Sequence, residues 1–384
     1  MTSIDPNAAP VPAAPGTDDA APAPAPGVRP RAVLDALPRY AAGRPATVVE
    51  GLQSFKLSSN ENPLPPIPAV LDAIRDTTAI NRYPDAVSTR LRERLATYLE
   101  VPAEDIVTGG GSLGALNQVL ATYAGQNDFG APDEVVYAWR SFEAYPISVG
   151  LSGATSVRVP LLPDGRHDLA AMAAAVTENT RVVLLCTPNN PTGPILTHDE
   201  VVDFLGRVPS HVVVVLDEAY LEFVRDPAAV DGLALYRAYP NLVLLRTFSK
   251  AHGLAGLRVG YTVAQPVITE NLRVSAVPFA VSSLAETAAI TSLDHLDEVL
   301  ARVDSLVAER DRVVAALTEQ GWDLPQAEGN FVWLRLGERC GDFAAAAERQ
   351  ALSVRRFGDE GVRVSIGEVD ANTRFIDLCR SFGA

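Results

Sequence analysis

Three uninterrupted apolar runs in the middle of the chain each end abruptly in a polar cluster. Val182-Val183-Leu184-Leu185-Cys186 leads into Thr187-Pro188-Asn189-Asn190-Pro191-Thr192-Gly193, and Val212-Val213-Val214-Val215-Leu216 leads into Asp217-Glu218-Ala219-Tyr220. Leu242-Val243-Leu244-Leu245 leads into Arg246-Thr247-Phe248-Ser249-Lys250, with a loop expected over Ala251 to Gly260. A run without polar alternation suits a strand buried on both faces, as in a parallel sheet. Shorter strand patterns come earlier: Phe55-Lys56-Leu57, Ile106-Val107-Thr108 before Gly109-Gly110-Gly111, and Val135-Val136-Tyr137-Ala138 before Trp139 to Pro146. Helical patterns fall at Val33 to Ala41, Pro68 to Thr77, and one long stretch from Val281 to Gln320. In that stretch Leu296, Val299, Leu300, Val303, Leu306 and Val307 recur at helical spacing, and Gly321 stands where a helix ends. Towards the C-terminus the pattern predicts a strand at Gly329 to Leu334, a helix at Phe343 to Gln350, and an edge formed by Val354 to Phe357 and Gly361 to Gly367. The class is therefore α/β, and in open α/β sheets ligands sit beyond the carboxyl ends of the strands.

Composition narrows the class of protein further. A chain of 384 residues exceeds the usual single core, so two domains are expected. The division is 1–28 as a disordered Ala/Pro-rich tail, 29–62 as an arm and small-domain segment, 63–280 as a large domain, and 281–384 as a small C-terminal domain. The tail has too few large apolar side chains to offset its ordering entropy, and it lacks the basic start and apolar core of a secretory signal. No apolar run approaches the ~18 residues that span a bilayer, so no membrane partner is expected. A net charge of −15 argues against nucleic acid. Cys186, Cys340 and Cys379 are too few and too scattered for a disulfide framework or a metal site, which makes a reducing cytoplasm the expectation.

The three central clusters carry the candidate chemistry: an amide at Asn190, a carboxylate with a phenol at Asp217 and Tyr220, and a lysine among hydroxyls at Thr247, Ser249 and Lys250. Asn-Asn-Pro-Thr-Gly alone could be a turn, Asp-Glu a helix start and Ser-Lys a solvated loop. Three polar clusters delivered to one sheet edge are not explained that way. Pyridoxal 5'-phosphate chemistry needs this combination, with a lysine for the covalent linkage and an aspartate for the pyridinium nitrogen. Gly109-Gly110-Gly111-Ser112 lets the backbone approach a phosphate at a helix start, although it does not make a dinucleotide fingerprint. Arg363 sits between valines in an apolar strand, where an unpaired charge should not be.

These clusters resemble the fold-type I, class I/II aminotransferases, nearest the histidinol-phosphate and aromatic aminotransferase branch, from about Arg31 to the C-terminus. The resemblance implies a large domain with a mainly parallel seven-stranded sheet and a smaller α+β domain. It implies that Lys250 carries the cofactor and moves the substrate proton, that Asp217 holds the ring nitrogen, and that Asn190 and Tyr220 reach O3′, Tyr220 from one helical turn beyond Asp217. Backbone groups of Gly111, Ser112 and Leu113 would bind the phosphate with Thr247, Ser249 and Arg258, and Phe142 would stack on the ring. Arg363 would clamp the substrate carboxylate, with Tyr40, Asn60, Asn190 and Arg355 also in the substrate pocket. Tyr83 would reach the phosphate of a second subunit, which implies a homodimer with shared active sites. The Asn190-Pro191 bond would be cis. The expected reaction is ping-pong transamination with 2-oxoglutarate through pyridoxamine phosphate. Trp139-Arg140-Ser141-Phe142-Glu143-Ala144-Tyr145-Pro146 looks like the bacterial aromatic (phenylalanine) aminotransferases. Histidinol-phosphate transamination and a decarboxylase or lyase reaction are the alternatives.

Overall fold

In the computed structural model, residues 27–127 and 130–384 are described, so most of the tail expected to be disordered lies outside the described residues. Among the described residues there are twelve strands: β1 Phe55–Lys56, β2 Ile106–Gly110, β3 Glu134–Trp139, β4 Thr155–Pro160, β5 Thr180–Cys186, β6 Val213–Asp217, β7 Leu242–Thr247, β8 Val259–Ala264, β9 Phe331–Leu334, β10 Leu352–Ser353, β11 Arg355–Phe357 and β12 Gly361–Ser365. Seven of them form one sheet in the order β2-β8-β7-β6-β5-β3-β4. β8 runs antiparallel to both of its neighbours, while the other pairs are parallel.

The unbroken apolar runs are explained by burial on both faces. Along β5 to β7, Val183, Leu185, Val214, Leu216, Leu242 and Leu244 enter one hydrophobic cluster, while Val182, Leu184, Val213, Val215, Val243 and Leu245 enter another. The second cluster is covered by Ala115, Leu116, Val119 and Leu120 of the helix Gly111–Tyr123. A further cluster gathers Phe55 and Leu57 with Val332, Leu334, Phe343, Leu352, Val362 and Val364, and so joins the β1 segment to the C-terminal part of the chain. β1 pairs with β10, and β9, β12 and β11 form a separate antiparallel sheet.

Several local expectations are corrected. The stretch from Val281 to Gln320 is two helices, Ser283–Asp294 and Leu296–Glu319, broken at His295, whose φ −118° and ψ 37° are not helical. The break lets Ala285, Ala288, Ala289 and Leu293 pack in the sheet core. The second helix meanwhile runs from that core at Val299, past Val303, Leu306 and Val307, to Val313 and Leu317 in the C-terminal cluster. The helix expected over Val33 to Ala41 is only a 3-10 turn, Ala32–Asp35, since Pro38 lacks an N–H and disfavours helical geometry at the residue before it. Val259 and Gly260 are not loop but the start of β8, where Gly260 sits opposite both Gly109 and Thr247.

Candidate active site

β2 and β7 are both antiparallel to β8, so they run in the same direction, and the glycine turn after β2 reaches the same edge as the ends of β5, β6 and β7. Register then places Cys186 opposite Asp217, and Asp217 opposite Leu245. A cavity of about 150 Å³ opens at this edge. Tyr40, Ser112, Phe142, Asn190, Asp217, Tyr220, Lys250, Arg355 and Arg363, all singled out from the sequence, line it together with Ser58, Glu143, Cys186 and Phe357.

Lys250 Nζ donates to the carbonyls of Asn60 at 3.1 Å and Ser59 at 3.4 Å. Burial pushes this amine down to about 7, and the neighbouring Arg363 guanidinium adds to the effect. Asp217 moves the other way: burial lifts its carboxyl to about 6, against the Tyr145 hydroxyl, which donates to Oδ2 at 2.7 Å and favours the ionised form. Tyr145 is a functional neighbour that sequence reasoning missed. It packs against the ring of Phe142 at 5.7 Å, and its reach to Asp217 depends on how β3 and β6 are placed in the sheet. Tyr220 is not one helical turn from Asp217: Asp217 ends β6, and Tyr220 precedes the 3-10 turn Leu221–Phe223. Its hydroxyl still faces the cavity and accepts from Asn60 Nδ2 at 3.0 Å.

Arg363 lies on β12 with its guanidinium turned to the cavity. Nη1 donates to Asn190 Oδ1 at 2.5 Å and Nη2 to the Ser58 carbonyl at 2.8 Å, whereas the buried Nε has no partner. A buried charge held by neutral oxygens, with a donor to spare, is suited to an incoming carboxylate. The Asn190-Pro191 bond is cis, as expected.

A second group of predicted residues gathers at the start of the helix Gly111–Tyr123. Gly111 has φ +76°, and a Cβ there would meet Arg258 Nη2 at 2.4 Å, so only glycine lets that guanidinium lie against the turn. A Cβ on Gly260 would meet the Ser112 nitrogen at 2.4 Å. Thr247 Oγ1 donates to Ser249 Oγ at 2.9 Å beside this cradle, and Leu113 follows in the first helical turn. A helix start, an arginine and two hydroxyls fit a phosphate beside the cavity, which Ser112 of this turn lines together with Asp217 and Lys250. Tyr83 is not brought to the cavity. It is 84% exposed and stacks on Phe279 at 4.8 Å.

This arrangement is that of a known enzyme class. The family model for aminotransferase class I and II matches residues 53–375, and the chain belongs to that family. Among its relatives, the chain is 53% identical to the aromatic amino acid aminotransferase of Streptomyces avermitilis, over 92% of this chain and 97% of that protein. It is 52% identical to the protein of the same name from Thermobifida fusca, over 92% and 96% respectively. The structure of histidinol-phosphate aminotransferase from Sinorhizobium meliloti in complex with pyridoxal-5'-phosphate superposes with a TM-score of 0.81 at 26% identity, over 92% of this chain and 98% of that one.

Proposed function

We propose that this protein transaminates aromatic amino acids, phenylalanine foremost, using pyridoxal 5'-phosphate and returning the amine to a 2-oxo acid such as 2-oxoglutarate. The observation that carries the reading is the convergence of Lys250, Asp217 and an uncompensated Arg363 on a cavity walled by Tyr40, Phe142 and Phe357. The relatives named for aromatic amino acids, matched along nearly their whole length, support the choice of side chain. When bound, the cofactor supplies the electron sink that makes the Cα–H bond of an amino acid acidic.

The chain's own residues supply the rest. The cradle of Gly111, Ser112, Leu113, Thr247, Ser249 and Arg258 would hold the cofactor's phosphate, Asn190 and Tyr220 its O3′, and Phe142 a face of its ring. Asp217, ionised at neutral pH despite its raised value, holds a proton on the ring nitrogen. Arg363 fixes the substrate carboxylate and thereby aims Cα at Lys250. The Lys250 amine, lowered to about 7 by burial, has a substantial unprotonated fraction at neutral pH and takes the Cα proton. Asn60 positions Tyr220 and receives the Lys250 amine at its carbonyl.

The working form is a homodimer in this reading. Tyr83, Phe279, Val274 and Val277 are exposed, an apolar surface of the kind that a second copy covers. Tyr83 would there complete the partner's phosphate cradle. Three free, buried cysteines agree with a reducing cytoplasm, and among the described residues no helix is long and apolar enough to cross a membrane.

The test is a half-reaction titration of the cofactor-loaded protein with phenylalanine, tyrosine and histidinol phosphate, followed by cofactor absorbance. Rapid conversion by phenylalanine with little by histidinol phosphate is expected. The reverse ranking would overturn the aromatic assignment, and steady loss of CO₂ without amine exchange would overturn transamination.

A further inference from the structure

Three guanidinium groups surround the ring of Phe357 at the cavity: Arg140, Arg355 and Arg363, with Cζ 5.7, 5.5 and 5.6 Å from its centroid. They are not electrically equivalent. Arg140 is ion-paired with Glu360. Arg355 donates from Nε and Nη2 to Oε2 of Glu143 at 3.1 and 2.5 Å, with Nη1 on the carbonyl of Ala42 at 3.3 Å. Arg363 alone of the three is held by neutral acceptors, among the described residues. Glu143 and Arg355 both line the cavity, and their side chains keep only 28% and 12% of their exposure. The pocket therefore presents one free positive charge at Arg363 and, at its cross-strand neighbour Arg355, a pair neutralised by Glu143.

We propose that Glu143 is a specificity-determining residue: by holding Arg355 it cancels the second positive charge and weights the pocket towards substrates with one anionic group and an uncharged side chain. The inference rests on the aromatic reading of this cavity and gives it a cause. A ligand with a second anion at its far end, whether carboxylate or phosphate, must displace Glu143 from Arg355 and leave a carboxylate in a partly desolvated wall without its partner. An aromatic ring makes no such demand and packs against Tyr40, Phe142 and Phe357. The same pair sets how readily a diacid acceptor enters, so Glu143 also tunes the balance between the two half-reactions.

The experiment measures binding of two unreactive acids to the cofactor-loaded protein by calorimetry: glutarate, with an anion at each end, and 3-phenylpropionate, with one anion and a ring. In Glu143→Gln, glutarate is expected to bind about tenfold tighter, as one freed charge-assisted hydrogen-bond pair would give, with 3-phenylpropionate changed by less than about twofold. Glu143→Asp, which keeps the charge, should stay near the wild-type ratio, and adding Arg355→Gln to Glu143→Gln should remove the gain. An unchanged glutarate to 3-phenylpropionate ratio in Glu143→Gln, or a gain that survives loss of Arg355, would overturn the proposal. Failure of the wild type to convert phenylalanine would overturn the aromatic reading instead, while the binding ratio would still judge Glu143.

Discussion

The floor and the side wall of the cavity are built in opposite ways. The floor comes from β5, β6 and β7, neighbours in one sheet, each ending at the same edge. Its groups are unlike their free forms: Asp217 is raised to about 6 and Lys250 lowered to about 7, both chiefly by burial. The wall joins segments some three hundred positions apart. The Asn60 N–H donates to Ser365 Oγ at 2.8 Å, the Ser365 hydroxyl donates to Asn60 Oδ1 at 2.9 Å, and Arg363 donates to the Ser58 carbonyl. The floor thus tunes proton affinity through a low-dielectric setting, while the wall places charge and shape through hydrogen bonds between distant segments. On the proposed function, chemistry falls to the first and substrate choice to the second.

The contrast can be broken at either side. Lys250→Ala should strike hardest, lowering the phenylalanine half-reaction by about a thousandfold or more in stopped-flow absorbance, because it removes the group proposed to transfer the proton. Asp217→Asn should follow with a loss of about a hundredfold or more in kcat/KM and weaker retention of the cofactor on dialysis, since a neutral amide cannot balance a protonated ring nitrogen. Arg363→Lys should act differently, raising KM for phenylalanine by about tenfold with a smaller change in kcat, as a point charge replaces a two-pronged donor. A floor variant that changed only KM, or a wall variant that changed only kcat, would undo the division of labour.

Two smaller effects sharpen the picture. Tyr145→Phe leaves Asp217 Oδ2 without its donor, which should lower stability by about 1–3 kcal/mol in urea unfolding of the cofactor-free protein and push the carboxyl still higher. Lys250 makes a pH-dependent contribution in that same protein. Its amine titrates near 7 when folded and near 10.5 when unfolded, so between those values the unfolded chain binds more protons and stability from this group rises with pH. Lys250→Met should therefore raise the melting temperature most at pH 7 and below, and the gain should shrink towards pH 10.5. A gain independent of pH would mean that packing, not charge burial, explains it.

What could be read in the residues follows the same line. The apolar runs ending at Cys186, Leu216 and Leu245, and the polar clusters behind them, point to an α/β sheet with its chemistry at one edge, because burial on both faces leaves a local mark on each run and each cluster follows its run in the chain. Lys250, Asp217, Asn190 and Arg363 stand out in the residues, the last because a lone arginine between valines is out of place, and the structure brings all four to one cavity. Tertiary structure alone decided the contacts between elements. Tyr145 on Asp217 depends on β3 and β6 lying either side of β5 in one sheet, and Glu143 on Arg355 on where the C-terminal sheet meets the segment after β3. The break at His295 depends on two cores drawing one helical pattern in different directions. Periodicity along a chain reports which faces are buried; it carries no record of which distant face will lie opposite.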